Sequence, residues 1–113
     1  MIEYRIYESV YENIISGKKN IEVRLQNDKS NKIKIGDKIK FQVLDKEIYL
    51  QVEVTNKYIY DDFEEFWKDK DIVLSSAKNY TKEECKNKLY EIFGKERVNN
   101  SKLVAIEFKI INN

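Results

Sequence analysis

Three stretches of the chain alternate apolar and polar residues with a period of two, and that period is the pattern of half-buried β-strands. Asn20 to Leu25 sets Ile21, Val23 and Leu25 against Asn20, Glu22 and Arg24. Lys38 to Leu44 repeats the pattern through Ile39, Phe41 and Val43, and Ile48 to Tyr58 through Ile48, Leu50, Val52 and Val54. Asp45-Lys46-Glu47 fits a hairpin connection and Ile35-Gly36-Asp37 a turn, so three or four antiparallel strands are expected here. Leu103 to Ile111 closes the chain as a further strand. It is apolar almost throughout except at Glu107 and Lys109, which predicts a central position in the sheet.

Between the strands the period changes to that of a helix. Tyr7 to Ser16 spaces Val10, Tyr11, Ile14 and Ile15 helically and ends at Gly17, a residue suited to a left-handed stop. Asp61 to Lys70 carries Phe63, Phe66 and Trp67 on one stripe behind acidic residues that favour a helix N-terminus. Thr81-Lys82-Glu83-Glu84 reads as a capping box, followed by the stripe Cys85, Leu89, Ile92 and Phe93 and by Gly94 as the stop. Gln26 to Lys32 is expected to be a polar loop. Helix, strands, helices, strand is an α+β order, predicting a small curved sheet or barrel with short flanking helices in one domain over residues 1–113.

Composition removes several function classes. The 113 residues include eight Tyr, five Phe and one Trp, enough to fill a core, but no His. Ser-His and Cys-His nucleophile pairs, a His base and a His metal ligand are therefore impossible, and no metal or other cofactor is expected. The single Cys85 forms no internal disulfide, which suits a reducing cytoplasm. No apolar run approaches the roughly 20 residues of a membrane helix, and MIEYRIYESV lacks the features of a signal peptide, so a cytoplasmic protein without a membrane partner is expected. The absence of Pro and the abundance of Lys, Asn and Ile suggest the coding bias of an AT-rich bacterium.

The net charge of +1 conceals a segregation: Gly17 to Lys40 holds eight basic and three acidic residues, and Asp61 to Asp71 six acidic and two basic. One basic flank can attract a polyanion locally, although dispersed surface lysines serve solubility equally well.

The basic flank contains Gly17-Lys18-Lys19-Asn20-Ile21-Glu22-Val23-Arg24, which matches the pattern G-x-K-x-x-E-x-R. Gly36-Asp37-Lys38-Ile39-Lys40-Phe41 matches G-D-x-I-x-F, and Leu103-Val104-Ala105-Ile106-Glu107-Phe108 closes the chain. With these features the sequence resembles, end to end, the ASCH family (activating signal cointegrator homology), and most of all its small bacterial and archaeal members. The resemblance implies a PUA-like curved antiparallel β-barrel that binds RNA or modified nucleosides beside the signature, through Gly17, Lys19, Glu22 and Arg24. Residue by residue the pattern is sensible: Gly17 permits a sharp turn, and Glu22 and Arg24, two apart in a strand, project from one face near Lys19. Arg offers a planar fork, Lys a point charge and Glu an acceptor for exocyclic amino groups. A structural alternative stays open, in which Glu22 and Arg24 merely pair with each other or a neighbouring strand and Lys19 is a solvated edge lysine.

The same resemblance implies a second class, small hydrolases of this fold. Its acetylcytidine amidohydrolases use a signature Lys, a Thr three residues later and a Glu ahead of the last helix. Lys19 matches, but Glu22 and Lys78 occupy the other two places, which disfavours that activity. A ribonuclease would draw on Lys19 and Glu22 as catalytic candidates, with Arg24 as a charge stabiliser. Among the aromatic residues Tyr4, Tyr7, Tyr11, Tyr58 and Tyr60, one is expected to line the pocket. Phe63, Phe66 and Trp67 are expected in the core, and Cys85 buried and inert.

Overall fold

A computed structural model of the chain describes residues 1–77 and 80–112. Lys78 therefore lies outside the described residues. Five strands, β1 (Ile2–Ile6), β2 (Ile21–Leu25), β3 (Lys38–Val43), β4 (Tyr49–Tyr60) and β5 (Leu103–Asn112), form one curled sheet in the order β1-β3-β4-β5-β2. The α+β, PUA-like architecture expected from the sequence is the one adopted. Two features add to it. β1, whose Ile2, Tyr4 and Ile6 alternate with Glu3 and Arg5, runs parallel to β3, whereas every other pair is antiparallel. The edge strands β1 and β2 do not pair, so the sheet is a half-barrel with a seam.

Two apolar clusters cover the two faces. Ile39, Phe41 and Val43 from β3, Leu50, Val52 and Val54 from β4, and Val104, Ile106 and Phe108 from β5 form the first. Its aromatic centre is the edge-on pair Phe41 and Phe108, with ring centroids 5.2 Å apart. Leu103 and Ala105 of β5 point the other way, into a second cluster with Ile21 and Leu25 of β2. This accounts for the near-continuous apolar run of β5, which lies between β4 and β2 and is buried on both faces. A register shift between Val54 and Asn56 interrupts the alternation of β4, beyond which Tyr58 and Tyr60 pack on the second cluster.

The helices follow from local chemistry. α1 (Glu8–Ile15) ends where Gly17 adopts a φ of +82°, and the N–H groups of Lys18 and Lys19 both return to the Asn13 carbonyl. The expected polar loop contains a single helical turn, α2 (Asp28–Asn31), closed by reciprocal bonds between Asn27 and Ser30, and Lys57 ties that turn to the sheet through the Ser30 and Ile33 carbonyls. The segment expected as one helix from Asp61 to Lys70 is two, α3 (Phe63–Lys68) and α4 (Lys70–Ala77). Asp69 breaks it with a ψ of 83°, and its carboxylate accepts a 2.7 Å bond from the Tyr60 hydroxyl. Phe63 and Phe66 are buried and Trp67 partly so, as a core stripe. α5 (Lys82–Phe93) opens on the expected capping box between Thr81 and Glu84, and α6 (Lys95–Asn99) follows Gly94.

Among the described residues no helix is long and apolar enough to cross a membrane. Because the Thr81 side chain satisfies the Glu84 N–H at the start of α5, Thr81→Ala should destabilise the protein by about 1 kcal/mol, lowering the midpoint of a urea melt without changing its slope.

Candidate ligand-binding cleft

β2 places Glu22 opposite Ile106 and Arg24 opposite Val104, so both side chains share the face of the first core cluster. At this edge of the sheet that face meets a cleft. Glu22 is only 8% exposed, a position a carboxylate occupies when it is paired. Its Oε1 lies 3.4 Å from Lys19 Nζ, and its Oε2 accepts from Arg24 Nε at 3.1 Å and Nη2 at 2.9 Å. The Lys19 ammonium also donates to the Ser76 carbonyl at 3.1 Å, and Arg24 Nη2 donates to the Arg5 carbonyl at 2.9 Å. This last bond crosses the seam from β2 to β1. Burial raises the Glu22 pKa, but Lys19 and Arg24 together outweigh it and hold the carboxyl below its ordinary range. The pairing of Glu22 with Arg24 that the structural alternative foresaw is thus present, and it orients two cations along the cleft.

Two adjoining cavities meet at Glu22. One, of about 240 Å³, is lined by Lys19, Glu22 and Val23 with Tyr7, Tyr80 and Lys88 among its walls. The other, of about 180 Å³, is lined by Glu22, Val23 and Arg24 with Arg5, Leu44 and Phe93. Lys19 and Arg24 thus lie in neighbouring cavities joined through Glu22. Gly17 lines neither, and its contribution is the turn that delivers Lys19 to the start of β2. Val10 from α1 and Leu89 and Ile92 from α5 are common to both cavities and give apolar walls. Tyr7 and Tyr80 are 44% and 46% exposed, and the Lys88 ammonium lies over the Tyr7 ring at 5.9 Å from its centroid.

The floor is the free edge of β2. The bonds from Gln26 N–H to the Lys102 carbonyl (2.8 Å) and from Phe108 N–H to the Asn20 carbonyl (3.0 Å) show which backbone groups along this stretch face β5. Strand alternation then directs the N–H and C=O of Val23 away from β5, to the edge along which both cavities run. The cleft therefore offers a carboxylate, four cations (Lys19, Arg24, Lys88 and Arg5) and one backbone donor and acceptor between apolar walls.

Of the five tyrosines singled out in the sequence, Tyr7 lines these cavities, whereas Tyr58 and Tyr60 are tied to Glu107 and Asp69 on the far cluster. Tyr4 is buried beneath Arg24, whose guanidinium carbon lies 4.5 Å from the ring centroid. Tyr80, Lys88 and Arg5 were not foreseen. The one local signal was for Tyr80, an aromatic residue immediately before the Thr81 cap. Cys85 is buried, as expected, in the wall near Lys19, and desolvation pushes its thiol up to about 11.

A family model described as the ASCH domain matches residues 5–111. The crystal structure of hypothetical protein PH0355 is similar, with a TM-score of 0.81 and 31% identity over 96% of this chain and 97% of that one. The solution structure of protein PF0455 from Pyrococcus furiosus has a TM-score of 0.72 at 24% identity, over 99% of this chain and 98% of that one. The ASCH domain from Lactobacillus crispatus shares the fold, with a TM-score of 0.70 at 15% identity over 99% of this chain and 81% of that one. No curated protein matches the sequence.

Two outcomes are expected from this geometry. Because the folded-state pKa of Glu22 is depressed, its stabilisation is complete above about pH 4.5 and is lost as the pH falls through the folded value. Glu22→Gln should remove that component of acid sensitivity and destabilise by about 2 to 4 kcal/mol at pH 7, less than for a fully buried pair because Lys19 and Arg24 keep some water contact. Denaturant melts from pH 3 to 7 would show an unchanged acid slope if the pairing were idle. Cys85 should resist alkylation by iodoacetamide in the native protein near pH 8 and react freely once unfolded.

Proposed function

The chain belongs to the ASCH domain family, and on that premise we propose that it binds RNA or a nucleoside-like ligand, modified nucleosides included, in the cleft beside Lys19, Glu22 and Arg24. The observation that carries this reading is the combination along the β2 edge of apolar walls, two exposed tyrosines and a backbone donor and acceptor at Val23. A base is a flat apolar ring with a hydrogen-bonding edge, and it needs those parts: a ring to stack on and in-plane polar groups to meet. Glu22 keeps the ammonium and guanidinium apart and aimed along the cleft, Lys19 and Arg24 favour an anionic backbone, and Gly17 shapes the turn. An RNA ligand and an inert free thiol both suit a cytoplasmic location.

Binding is favoured over hydrolysis by the state of Glu22. A general base works best with a pKa near the operating pH, but Lys19 and Arg24 hold this carboxyl low, so it is a weak proton acceptor. The three-residue spacing at which the acetylcytidine amidohydrolases place a hydroxyl nucleophile is occupied by this same carboxylate.

Tyr7→Ala and Tyr80→Ala should each weaken binding of single-stranded RNA or free nucleosides by about 1 to 3 kcal/mol, the worth of stacking one base. RNA affinity should also fall with salt at a log-log slope of about −2 to −3, since few cations reach the cleft. Both are read by fluorescence titration at several salt concentrations. Binding unmoved by either tyrosine, or undetectable for RNA and nucleosides alike, would remove the reading.

A further inference from the structure

At its β1 end the cleft continues into a third cavity, of about 420 Å³, where Arg5, Arg24, Lys29 and Arg97 converge with a single carboxylate, Glu3. These cations come from β1, β2, α2 and α6, so no one helix face or sequence run produces the cluster. Arg24 is held by Glu22, and the Glu3 carboxylate lies 3.9 Å from Lys40. Among the described residues Arg5, Lys29 and Arg97 form no ion pair with any carboxylate. Arg24 and Lys29 both crowd the Tyr4 ring, at 4.5 and 4.3 Å from its centroid, and Lys29 is further fixed by donating to the Glu3 carbonyl. The Tyr4 hydroxyl is itself buried without a hydrogen-bond partner among the described residues. Burial first, and the Arg24 charge second, push the Lys29 pKa down. Like charges brought from four elements into one cavity, two of them over a buried ring, repel one another unless an anion joins them, and guanidinium forks suit a phosphate.

This notch shares Arg5, Arg24 and Phe93 with the smaller of the two cavities that meet at Glu22, so a ligand can run from one to the other along β2. We propose that the notch is a phosphate-binding site, which makes the ligand of the adjoining cleft a phosphorylated nucleoside or an RNA phosphate with its attached nucleoside, rather than a bare nucleoside. The second clause rests on the nucleoside-binding reading above, and the first does not.

Inorganic pyrophosphate tests the notch by itself. Titrated at low salt and followed by ¹H–¹⁵N spectra, it should shift the Arg5 and Arg97 side-chain signals saturably. Arg97→Ala, at an exposed position, should weaken this binding about tenfold to a hundredfold without changing the melting temperature appreciably. No saturable shift at millimolar pyrophosphate, or affinity unchanged by Arg97→Ala, overturns the proposal. The four ribonucleosides and their 5′- and 3′-monophosphates then test the linkage. A monophosphate should bind at least about tenfold tighter than its nucleoside in the wild type and lose most of that advantage in Arg97→Ala. Equal affinity for nucleoside and monophosphate overturns the phosphate assignment and leaves the nucleoside reading standing. Pyrophosphate binding that depends on Arg97, with no nucleoside or nucleotide perturbing Tyr7 and Tyr80, supports the notch and overturns the nucleoside reading.

Discussion

Arg24 holds the two free edges of the half-barrel together. The guanidinium leaves β2, engages the Glu22 carboxylate through Nε and Nη2, and spends Nη2 a second time on the Arg5 carbonyl of β1. If β1 and β2 were joined by a backbone ladder, the barrel would close and the edge of β2 would be lost as a floor. A side-chain bridge keeps the edges close without sealing them. The cleft runs beside that seam, and the β2–β5 register turns the Val23 backbone groups toward it.

Burying a carboxylate is costly unless its oxygens are paired, and here both are, one by Lys19 and the other by Arg24. The pairing also limits the chemistry. With its carboxyl held below the ordinary range and both oxygens already engaged, Glu22 anchors the Lys19 ammonium and the Arg24 guanidinium at the edge of β2. Lys19, fixed between Glu22 and the Ser76 carbonyl, links β2 to α4, so the same contacts that orient the cations also lock the helical layer onto the sheet.

The charge segregation acquires a physical meaning once the chain is folded. Within the acidic segment Glu64 is held by Lys82 and Lys86 of α5, Asp61 lies 3.5 Å from Lys102, and Asp69 receives the Tyr60 hydroxyl. Glu64 and Asp69 thereby fasten α3 and the α3–α4 junction to their neighbours. In the basic segment Lys19, Arg24 and Lys29 lie in sequence along the cleft and its notch. Arg5 and Arg97, which complete the notch, come from outside that segment.

Local pattern determined much by itself: the alternation of β2, β3 and the first half of β4, the central β5, the glycine stop after α1 and the capping box of α5 depend on a few consecutive residues. Local pattern also placed Glu22 and Arg24 on one face, because a strand repeats every two residues. It did not mark β1, whose five alternating residues sit against the first helix, nor the break at Asp69, which a hydrogen bond from Tyr60 on another element supports. What only the tertiary structure decided is which partners the signature meets. Tyr80 and Lys88 on α5's side, Arg5 on β1 and Arg97 on α6 reach the β2 edge because the sheet curls and the helices fold back over its free side, and no periodicity of one element records the surface of another.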